Sequence, residues 1–279
     1  MFKFKCKLPS KKVVYCEEIT NETYISLHKY VMNNDLLGFY KELDGHIAKT
    51  VPEIYSLDLL DKVYIYLSIR VYSISDAIEL KTDNFFNKDL YSLFDTLDNL
   101  RETFFEPIET IIETKSGNAK FKINCPFLFE EIDDELLPDI LSGVKNINLN
   151  SQEFCLETSK DLLALNYLIT PENYNKLNDL ILQKYNINII FAKGKIELPL
   201  LSHLTYRFIA ESLFFNDLDG LYTLSYSLLR HLNLSLSDFN KMSPIESTIF
   251  MSKLIKEKEE EEREAEEKNN SNNKNEFIF

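Results

Sequence analysis

The chain has 279 residues and a net charge of −14, so it is long enough to bury a sizeable core and lacks the positive charge that nucleic-acid binding requires. Its 6 glycines are too few for an all-β fold rich in tight turns, and its 44% of apolar residues is typical of a globular protein. The 4 cysteines include no Cys-x-x-Cys pair, and no apolar stretch reaches the ~18 residues of a membrane span. Because the sequence also starts without a signal peptide, we expect a reducing cytoplasm as its compartment.

The first predicted element is a β-hairpin over residues 2–18. Lys3, Lys5 and Lys7 alternate with apolar residues, and Pro9-Ser10-Lys11 supplies a turn before a second β-prone run. The three lysines are therefore expected on one face of the first strand. They form either the solvated face of the hairpin or a docking patch for an acidic partner, so they are candidate partner-binding residues.

Three amphipathic helices are predicted next. They run from Thr20 to Asn33, from Asn34 or Asp35 to Ile47, and from Ser56 or Asp58 to Ile74. Arg70 lies beside the apolar stripe of the third helix. An arginine in that position usually extends its charge to water or pairs with a carboxylate, so we expect a structural role for it.

The middle of the sequence mixes helices with β-hairpins. Helices are predicted over residues 88–105, 158–169 and 171–185, and hairpins over residues 108–125, with a turn at 115–118, and 187–198, with a turn at 193–194. The acidic stretch from Glu130 to Glu135 lacks the pattern of a calcium loop. We interpret it as a solvated turn or the start of a helix.

The C-terminal part is predicted to be helical. Helices are expected over residues 200–215 and 218–232, and a third helix should begin after Ser243. Ser243-Pro244-Ile245-Glu246 places a cap, a proline and a glutamate at the positions of a capping box. This helix is expected to continue into a charged run over residues 256–268 that frays in solvent.

Beyond that run, residues 269–275 are predicted to form a disordered linker. Three apolar residues, Phe277, Ile278 and Phe279, follow it. They are either a frayed end or a short docking peptide on a flexible tether, so they join the candidate partner-binding residues.

The predicted fold is α+β and mainly α-helical. An N-terminal β-hairpin is followed by a helical bundle, small β-hairpins occupy the middle, and a helical C-terminal region ends in a charged, disordered tail. The hairpin and the first helices occupy residues 1–80, and the mixed region of helices and hairpins occupies residues 81–200. The C-terminal helical region covers residues 201–256, and the acidic helical extension with the disordered tail covers residues 257–279.

No motif for catalysis, nucleotide binding or metal binding is recognisable in the sequence. The four histidines are scattered over predicted helices, and Cys6 and Cys16 are interpreted as small apolar residues of the hairpin. We therefore predict no catalytic residue, no cofactor and no metal ligand. The many carboxylates leave a dispersed acidic site open as an alternative.

Two segments carry motifs that can be compared with a known family. Leu8-Pro9-Ser10-Lys11-Lys12 forms a basic opening strand, and Arg70 and Ser73 fit an Arg-x-x-Ser-apolar-Gly pattern at the end of an apolar helix, with Ser75 in place of the glycine. This arrangement resembles the baseplate-hub assembly proteins of T-even-like tailed bacteriophages. Near the other end, a polar connector with Ser237-Asp238-Phe239, the capping box after Ser243 and the charged helix follow one another as in the same group.

The resemblance covers residues 6–80 and 218–265 and implies a non-enzymatic role in tail assembly. It implies a chaperone or structural component of the baseplate hub that binds other tail and hub proteins, with neither nucleic acid nor membrane as partner. The implied location is the host cytoplasm during assembly, or the tail baseplate if the protein stays in the virion. The alternative is a helical adaptor protein of a cellular, AT-rich genome with no link to tails. The sequence does not set the oligomeric state.

Overall fold

The computed structural model describes residues 2–75, 78–80, 85–87, 94, 97, 104–132, 135–150, 152–156, 161, 165, 167–191, 196–214 and 218–275. Over these residues the protein has an α+β fold that is mainly α-helical, which confirms the predicted class. Within the same residues, no helix combines the length and apolar content needed to cross a membrane.

The N-terminal hairpin forms as the alternating pattern predicts. Strand β1 (Lys3–Lys7) pairs antiparallel with β2 (Val13–Glu17), and the apolar face of both strands is buried. Lys11 adopts a left-handed conformation with a φ of 68° in the connecting turn. The lysines of β1 point away from the core and are exposed.

Three helices follow, each capped by a side chain that was among the candidates predicted from the sequence. They are α1 (Asn21–Met32), α2 (Leu36–Ile47) and α3 (Leu59–Ser73), capped by Thr20, Asp35 and Asp58 respectively. Each capping side chain accepts a hydrogen bond from a backbone N–H of the first turn, which would otherwise have no partner. A short 3-10 helix, Pro52–Ser56, precedes α3.

Helix α3 lies at the centre of the molecule. All of its residues except Tyr72 are buried, whereas the sequence pattern predicted a single apolar stripe. A helix covered on every side belongs to the interior of a fold. Its polar side chains need partners inside the protein, and these partners determine how the neighbouring elements pack.

The described residues of the middle region form ten strands, all in antiparallel pairs. They are β3 (Ile78–Leu80), β4 (Phe85–Asn87), β5 (Ile108–Thr114), β6 (Gly117–Ile123), β7 (Phe129–Ile132), β8 (Glu135–Pro138), β9 (Val144–Leu149), β10 (Gln152–Cys155), β11 (Asn188–Phe191) and β12 (Ile196–Pro199). Four of them form a sheet in the order β10-β9-β6-β5, and the others form two-stranded hairpins.

Two of the predicted hairpins are confirmed. The strands β5 and β6 pair as expected, but they turn through Lys115 and Ser116 because Thr114 lies opposite Gly117. The strands β11 and β12 also pair, and the turn at 193–194 lies outside the described residues. Strands β9 and β10 extend the β5–β6 hairpin into the four-stranded sheet, and this extension was not predicted.

The acidic stretch from Glu130 to Glu135 is not the start of a helix. Its described residues belong to β7 and β8, which pair with each other. The physical reason is that apolar residues flank the acidic stretch in sequence. Phe129 and Leu136 pack inward in this hairpin, and Leu136 is buried. The glutamates remain at the surface of the strands.

Helix α4 (Pro171–Tyr185) begins with the predicted proline after the Thr170 cap. Most of the helices predicted over residues 88–105 and 158–169 lies outside the described residues.

The C-terminal helices follow in the predicted order, with one addition. They are α5 (His203–Phe208), which continues as a π-helix over Ile209–Phe214, then α6 (Leu218–His231), α7 (Leu236–Lys241) and α8 (Pro244–Asn275). The connector expected before the last helix contains α7, which has its own capping box between Ser235 and Asp238.

Helix α8 continues further than predicted. The backbone is helical through Asn275, so residues 269–275 are not the disordered linker that composition suggested. The sequence from 245 to 275 contains neither glycine nor proline to end the helix, and the charged run before residue 269 is rich in glutamate and lysine, which have high helix propensity. The apolar residues Phe277, Ile278 and Phe279 lie outside the described residues.

The N-terminal and C-terminal segments pack against each other around Asn21. Its side-chain Nδ2 donates to the carbonyl oxygen of Phe239 at 2.9 Å and to Ser247 Oγ at 2.7 Å. Its backbone N–H donates to the carbonyl oxygen of Met242 at 2.7 Å. The two segments that carry the resemblance therefore share one core, and the middle region is inserted between them in sequence.

Candidate interaction site

Arg70 and Ser73, the matched motif of the third helix, connect α3 to its neighbours. The guanidinium of Arg70 donates to the carbonyl oxygens of Leu213, in the π-helix, and of Ser75. Ser73 Oγ accepts a hydrogen bond from the backbone N–H of Ile19 at 3.0 Å. Both side chains are buried, so the motif is part of the framework and Arg70 has the expected structural role.

A buried ion pair links α2 to α3. Lys62 Nζ lies 3.1 Å from Asp44 Oδ2, and the Tyr66 hydroxyl donates to Asp44 Oδ1 at 2.7 Å. Burial raises the pKa of Asp44, which the charge of Lys62 and the Tyr66 hydrogen bond oppose. The Lys62 side chain is only 2% exposed, so a substrate in solution cannot reach the pair. We interpret it as an internal anchor.

An aromatic cluster covers this ion pair. The Tyr40 hydroxyl donates to the carbonyl oxygen of Tyr206 at 2.8 Å, and the Phe129 ring packs against both tyrosine rings. Lys62 Nζ lies 5.9 Å from the centre of the Phe129 ring. Burial raises the pKa of Tyr40 and Tyr206 well above the usual value. The rings therefore keep the ion pair in a dry environment, where it is strong but inaccessible.

Two carboxylates lie close together at the start of α3. Asp58 Oδ1 accepts a hydrogen bond from the Asp61 N–H at 2.9 Å, and Asp61 Oδ1 accepts one from the Ser10 N–H at 3.1 Å. Burial and the nearby charge of Asp61 raise the pKa of Asp58 to about 7. Such a pair fits the dispersed acidic site that the sequence left open. Each carboxylate, however, holds a backbone N–H in place, one in the helix and one in the hairpin turn, so a structural role accounts for both.

The cysteines Cys6 and Cys16 are buried on the inner face of the hairpin. The register places Cys6 opposite Val14 and Cys16 opposite Phe4, so the two cysteines are diagonal neighbours. Diagonal positions are about 7–8 Å apart between Cα atoms, beyond the usual span of a disulfide. A hydrogen bond from Cys16 lowers the pKa of Cys6, and the thiols act as packed core groups.

A polar groove of about 610 Å³ lies between α1, α2 and α7. Lys29 and Lys49 line it together with Glu22 and Glu42. The equal number of positive and negative groups gives it no net preference for either sign of ligand. His46 in its wall is fixed by the Glu18 carbonyl oxygen at 3.2 Å, and burial lowers the pKa of this imidazole.

The outer face of the N-terminal hairpin is basic and exposed. Three cross-strand pairs form it, and we call these six residues the lysine face: Lys3 with Glu17, Lys5 with Tyr15, and Lys7 with Val13. Lys3 forms an ion pair with Glu17 at 3.1 Å. Within the part of the chain that the structure describes, Lys5 and Lys7 form no ion pair, so their charges remain available to another molecule.

The aromatic and aliphatic members of the lysine face are also exposed. Tyr15 is 58% exposed and Val13 is 48% exposed. Large apolar side chains beside free cations are typical of surfaces that bind other proteins, where tyrosine contributes contact area and hydrogen bonds.

A second charged surface lies on α8. Residues 257–267, which we call the acidic arm, are all exposed. They include eight glutamates, Lys258 and Arg263, for a net charge of −6. Leu254 is the last buried residue of the described part of this helix, so the acidic arm extends beyond the packed body of the protein.

The structure brings together part of the predicted set of partner-binding residues. Lys3, Lys5 and Lys7 share one exposed face, as the alternation predicted. The prediction for Phe277, Ile278 and Phe279 is untested, because these residues lie outside the described part.

Sequence reasoning missed one feature of the lysine face and one of the interior. Val13 and Tyr15 had a usable signal, since the same period of two in β2 places both beside the lysines. The role of Asn21 had no signal, because its partners Phe239 and Ser247 are more than 200 positions away.

The described residues contain no group of three or more His, Cys, Asp or Glu side chains that could hold a metal ion. No protein-family model matches the chain, and comparisons with curated proteins and with solved structures find no match. A functional assignment therefore depends on the surfaces described above and on the resemblance of the two terminal segments.

Proposed function

We propose that this protein is a non-enzymatic assembly protein or structural component of the tail baseplate of a tailed bacteriophage, acting by binding other tail proteins. The resemblance of residues 6–80 and 218–265 to baseplate-hub assembly proteins suggests this role. The expected partners are hub and tail proteins, met in the host cytoplasm while the baseplate is built.

The observation that best supports a binding role is the division of charged groups between core and surface. Lys62, Asp44 and Asp61 are buried and serve as internal anchors. Exposed charges of predominantly one sign lie side by side on the lysine face, which is basic, and on the acidic arm. Catalysis needs reactive groups that converge on an accessible pocket, whereas assembly needs accessible surfaces of defined charge.

The proposal also gives a role to Phe277, Ile278 and Phe279. These three apolar residues follow the acidic arm in sequence. A short apolar peptide at the end of a charged helix suits a shallow apolar groove on a hub protein, with the charged part in solvent. Removal of residues 276–279 should therefore weaken partner binding and leave the fold intact.

Disruption of the gene in a phage that carries it tests the proposal. We expect tails to stall before a complete baseplate forms, so that electron microscopy of lysates shows baseplate intermediates and few finished tails. A plasmid copy of the wild-type gene should restore finished tails. A normal yield of complete tails from the disrupted phage would refute the proposed role.

A further inference from the structure

The acidic arm is held away from the body of its own chain. Leu254 is buried, and the helix continues to Asn275. At 1.5 Å per residue this part of the helix extends roughly 30 Å. A continuous helix cannot turn back over such a distance, so a surface that binds the acidic arm belongs to another molecule.

The lysine face matches the acidic arm in charge. The six residues of the lysine face include three lysines and one glutamate, a net charge of +2, against −6 on the acidic arm. Both surfaces are exposed, and Lys5 and Lys7 have no ion-pair partner among the described residues. Complementary charge of this kind steers two surfaces together and sets their orientation.

The two surfaces also match in length. From first to last Cα atom, strand β1 covers about 14 Å at ~3.4 Å per residue, and the eleven residues of the acidic arm cover about 15 Å at 1.5 Å per residue. Alternate residues of a strand are about 7 Å apart, and successive turns of a helix are 5.4 Å apart. Lys3, Lys5 and Lys7 can therefore each meet a glutamate on one side of the helix.

Exposed side chains beside the lysines add contact area. Tyr15 and Val13 lie opposite Lys5 and Lys7 and can pack on the methylene groups of the glutamate side chains. The phenol hydroxyl of Tyr15 can also donate a hydrogen bond to a carboxylate.

We propose that the acidic arm of one copy of this protein binds the lysine face of a second copy. Because the two surfaces differ, the contact is heterologous: it closes into a small ring if the geometry allows, or is exchanged reciprocally between two copies. This inference rests on the hairpin and α8 alone, so it can fail while the proposed role in baseplate assembly stands.

The association should be weak and sensitive to salt. Exposed ion pairs contribute little individually, and their attraction is screened over about 10 Å at 0.1 M salt and about 3 Å at 1 M. The net charge of −14 also makes two copies repel each other. We expect the dissociation constant of the wild-type chain to rise at least tenfold between about 0.1 M and 1 M sodium chloride.

Sedimentation equilibrium of the full chain at about 0.1 M sodium chloride tests the proposal. The hairpin variant Lys5→Glu/Lys7→Glu should raise the dissociation constant at least tenfold. The arm variant Glu259→Lys/Glu262→Lys/Glu266→Lys reverses charge on one side of the helix and should have a similar effect. Mixing the two variants should restore association, because the hairpin variant keeps an intact acidic arm and the arm variant keeps an intact lysine face.

A matched control separates the specific contact from net charge. Lys115→Glu/Lys176→Glu changes two exposed lysines of the middle region, outside both surfaces, and alters the net charge as much as the hairpin variant does. We expect this control to associate within about threefold of wild type.

Three results would each overturn the proposal, provided that circular dichroism shows folded variants. They are a wild-type chain that stays monomeric up to about 1 mM, variants that associate as wild type does, and a mixture of the two variants that fails to associate. Binding of the acidic arm to a different protein, without association between copies, would also count against it.

Discussion

The buried ion pair between Lys62 and Asp44 shows how one residue can hold two helices together. Replacing Lys62 by methionine removes the positive charge and leaves Asp44 in the core with Tyr66 as its remaining partner. An uncompensated buried carboxylate is costly, so Lys62→Met should lower the free energy of unfolding by about 3 kcal/mol. Urea unfolding followed by circular dichroism measures this change.

The double variant Lys62→Met/Asp44→Asn is the control for this prediction. Because it removes both charges, it should be more stable than Lys62→Met alone. If Lys62→Met unfolds at the same urea concentration as wild type, the ion pair does not anchor α2 on α3.

Asp58 makes stability depend on pH. Burial and the charge of Asp61 raise its pKa from the ordinary 3.8 to about 7 in the folded protein. The folded state thus keeps a proton that the unfolded state releases. The contribution of this bound proton to the free energy of unfolding is fully present below about pH 4 and is lost as the pH rises through about 7.

The variant Asp58→Asn should remove much of this dependence. Asparagine keeps the side-chain oxygen that caps α3 but carries no charge. We compare the free energy of unfolding of the variant with that of wild type. The difference should favour the variant more at pH 8 than at pH 4, by on the order of 2 kcal/mol. Equal pH profiles of the free energy of unfolding would show that Asp58 does not bind the proton.

The sequence predicted residues whose role is local and missed those whose role depends on the tertiary structure. Thr20 was recognised as a cap, and Asp35 and Asp58 were each one of two candidate caps, because the bonded N–H lies three residues away. The partner of Lys62 lies on another helix, so only the packed structure reveals it.

At the scale of elements, Asn21 joins α1 to α7 and α8. The side chain is fully buried and donates to Phe239 and Ser247. Asn21→Ala should lower the free energy of unfolding by about 2 kcal/mol and should loosen the C-terminal helices, because two buried acceptors lose their donor. Limited proteolysis should then cut first between α6 and α8.

Glu22→Ala serves as the control, since Glu22 is exposed in the same turn of α1. It should change stability by less than about 0.5 kcal/mol. If Asn21→Ala has the same stability and cleavage pattern as this control, Asn21 does not hold α1 to α7 and α8.

The capping box at the start of α8 gives a second prediction for this region. The Ser243 N–H donates to Glu246 Oε2 at 2.9 Å, and the Glu246 N–H donates to Ser243 Oγ at 3.3 Å. Glu246→Ala should cost on the order of 0.5–1 kcal/mol in thermal or urea unfolding. Glu257→Ala in the exposed acidic arm should have little effect, and an equal loss in both variants would contradict the role of the box.

Elements with a strong local pattern were predictable, and pairing between distant elements was not. The alternation in the N-terminal hairpin and the capping box after Ser243 led to correct predictions. The pairing of β6 with β9 joins segments that are distant in sequence, and neither this pairing nor that of β9 with β10 was predicted. Strand β7 was missed because its acidic residues indicated a solvated turn or a helix start. Composition suggested disorder for residues 269–275, but no helix-breaking residue lies there.

At the scale of the whole molecule, the two ends of the sequence build a shared core around α3. The hairpin, α1, α7 and α8 meet there, and the strands of the middle region are inserted between them. The two terminal segments, which are far apart in sequence, therefore pack as one unit. This arrangement also leaves the lysine face and the acidic arm exposed at the surface, where they can bind other molecules.

The sequence could indicate the candidate surfaces only in part. The lysines were predicted from alternation, and the acidic arm was recognised from its charge. The degree to which these side chains are exposed depends on how the hairpin packs on the core, and the position of Tyr15 and Val13 beside the lysines follows from the register of β1 and β2.

Affinity capture of the tagged full-length chain from phage-infected cells, with quantitative mass spectrometry of the bound proteins, tests the central claim most directly. The claim is that the protein works by binding other tail proteins. We predict that hub or other baseplate proteins are enriched over a tag-only control, together with untagged copies of the chain itself. Enrichment of host proteins alone, with no tail protein among them, would contradict the account.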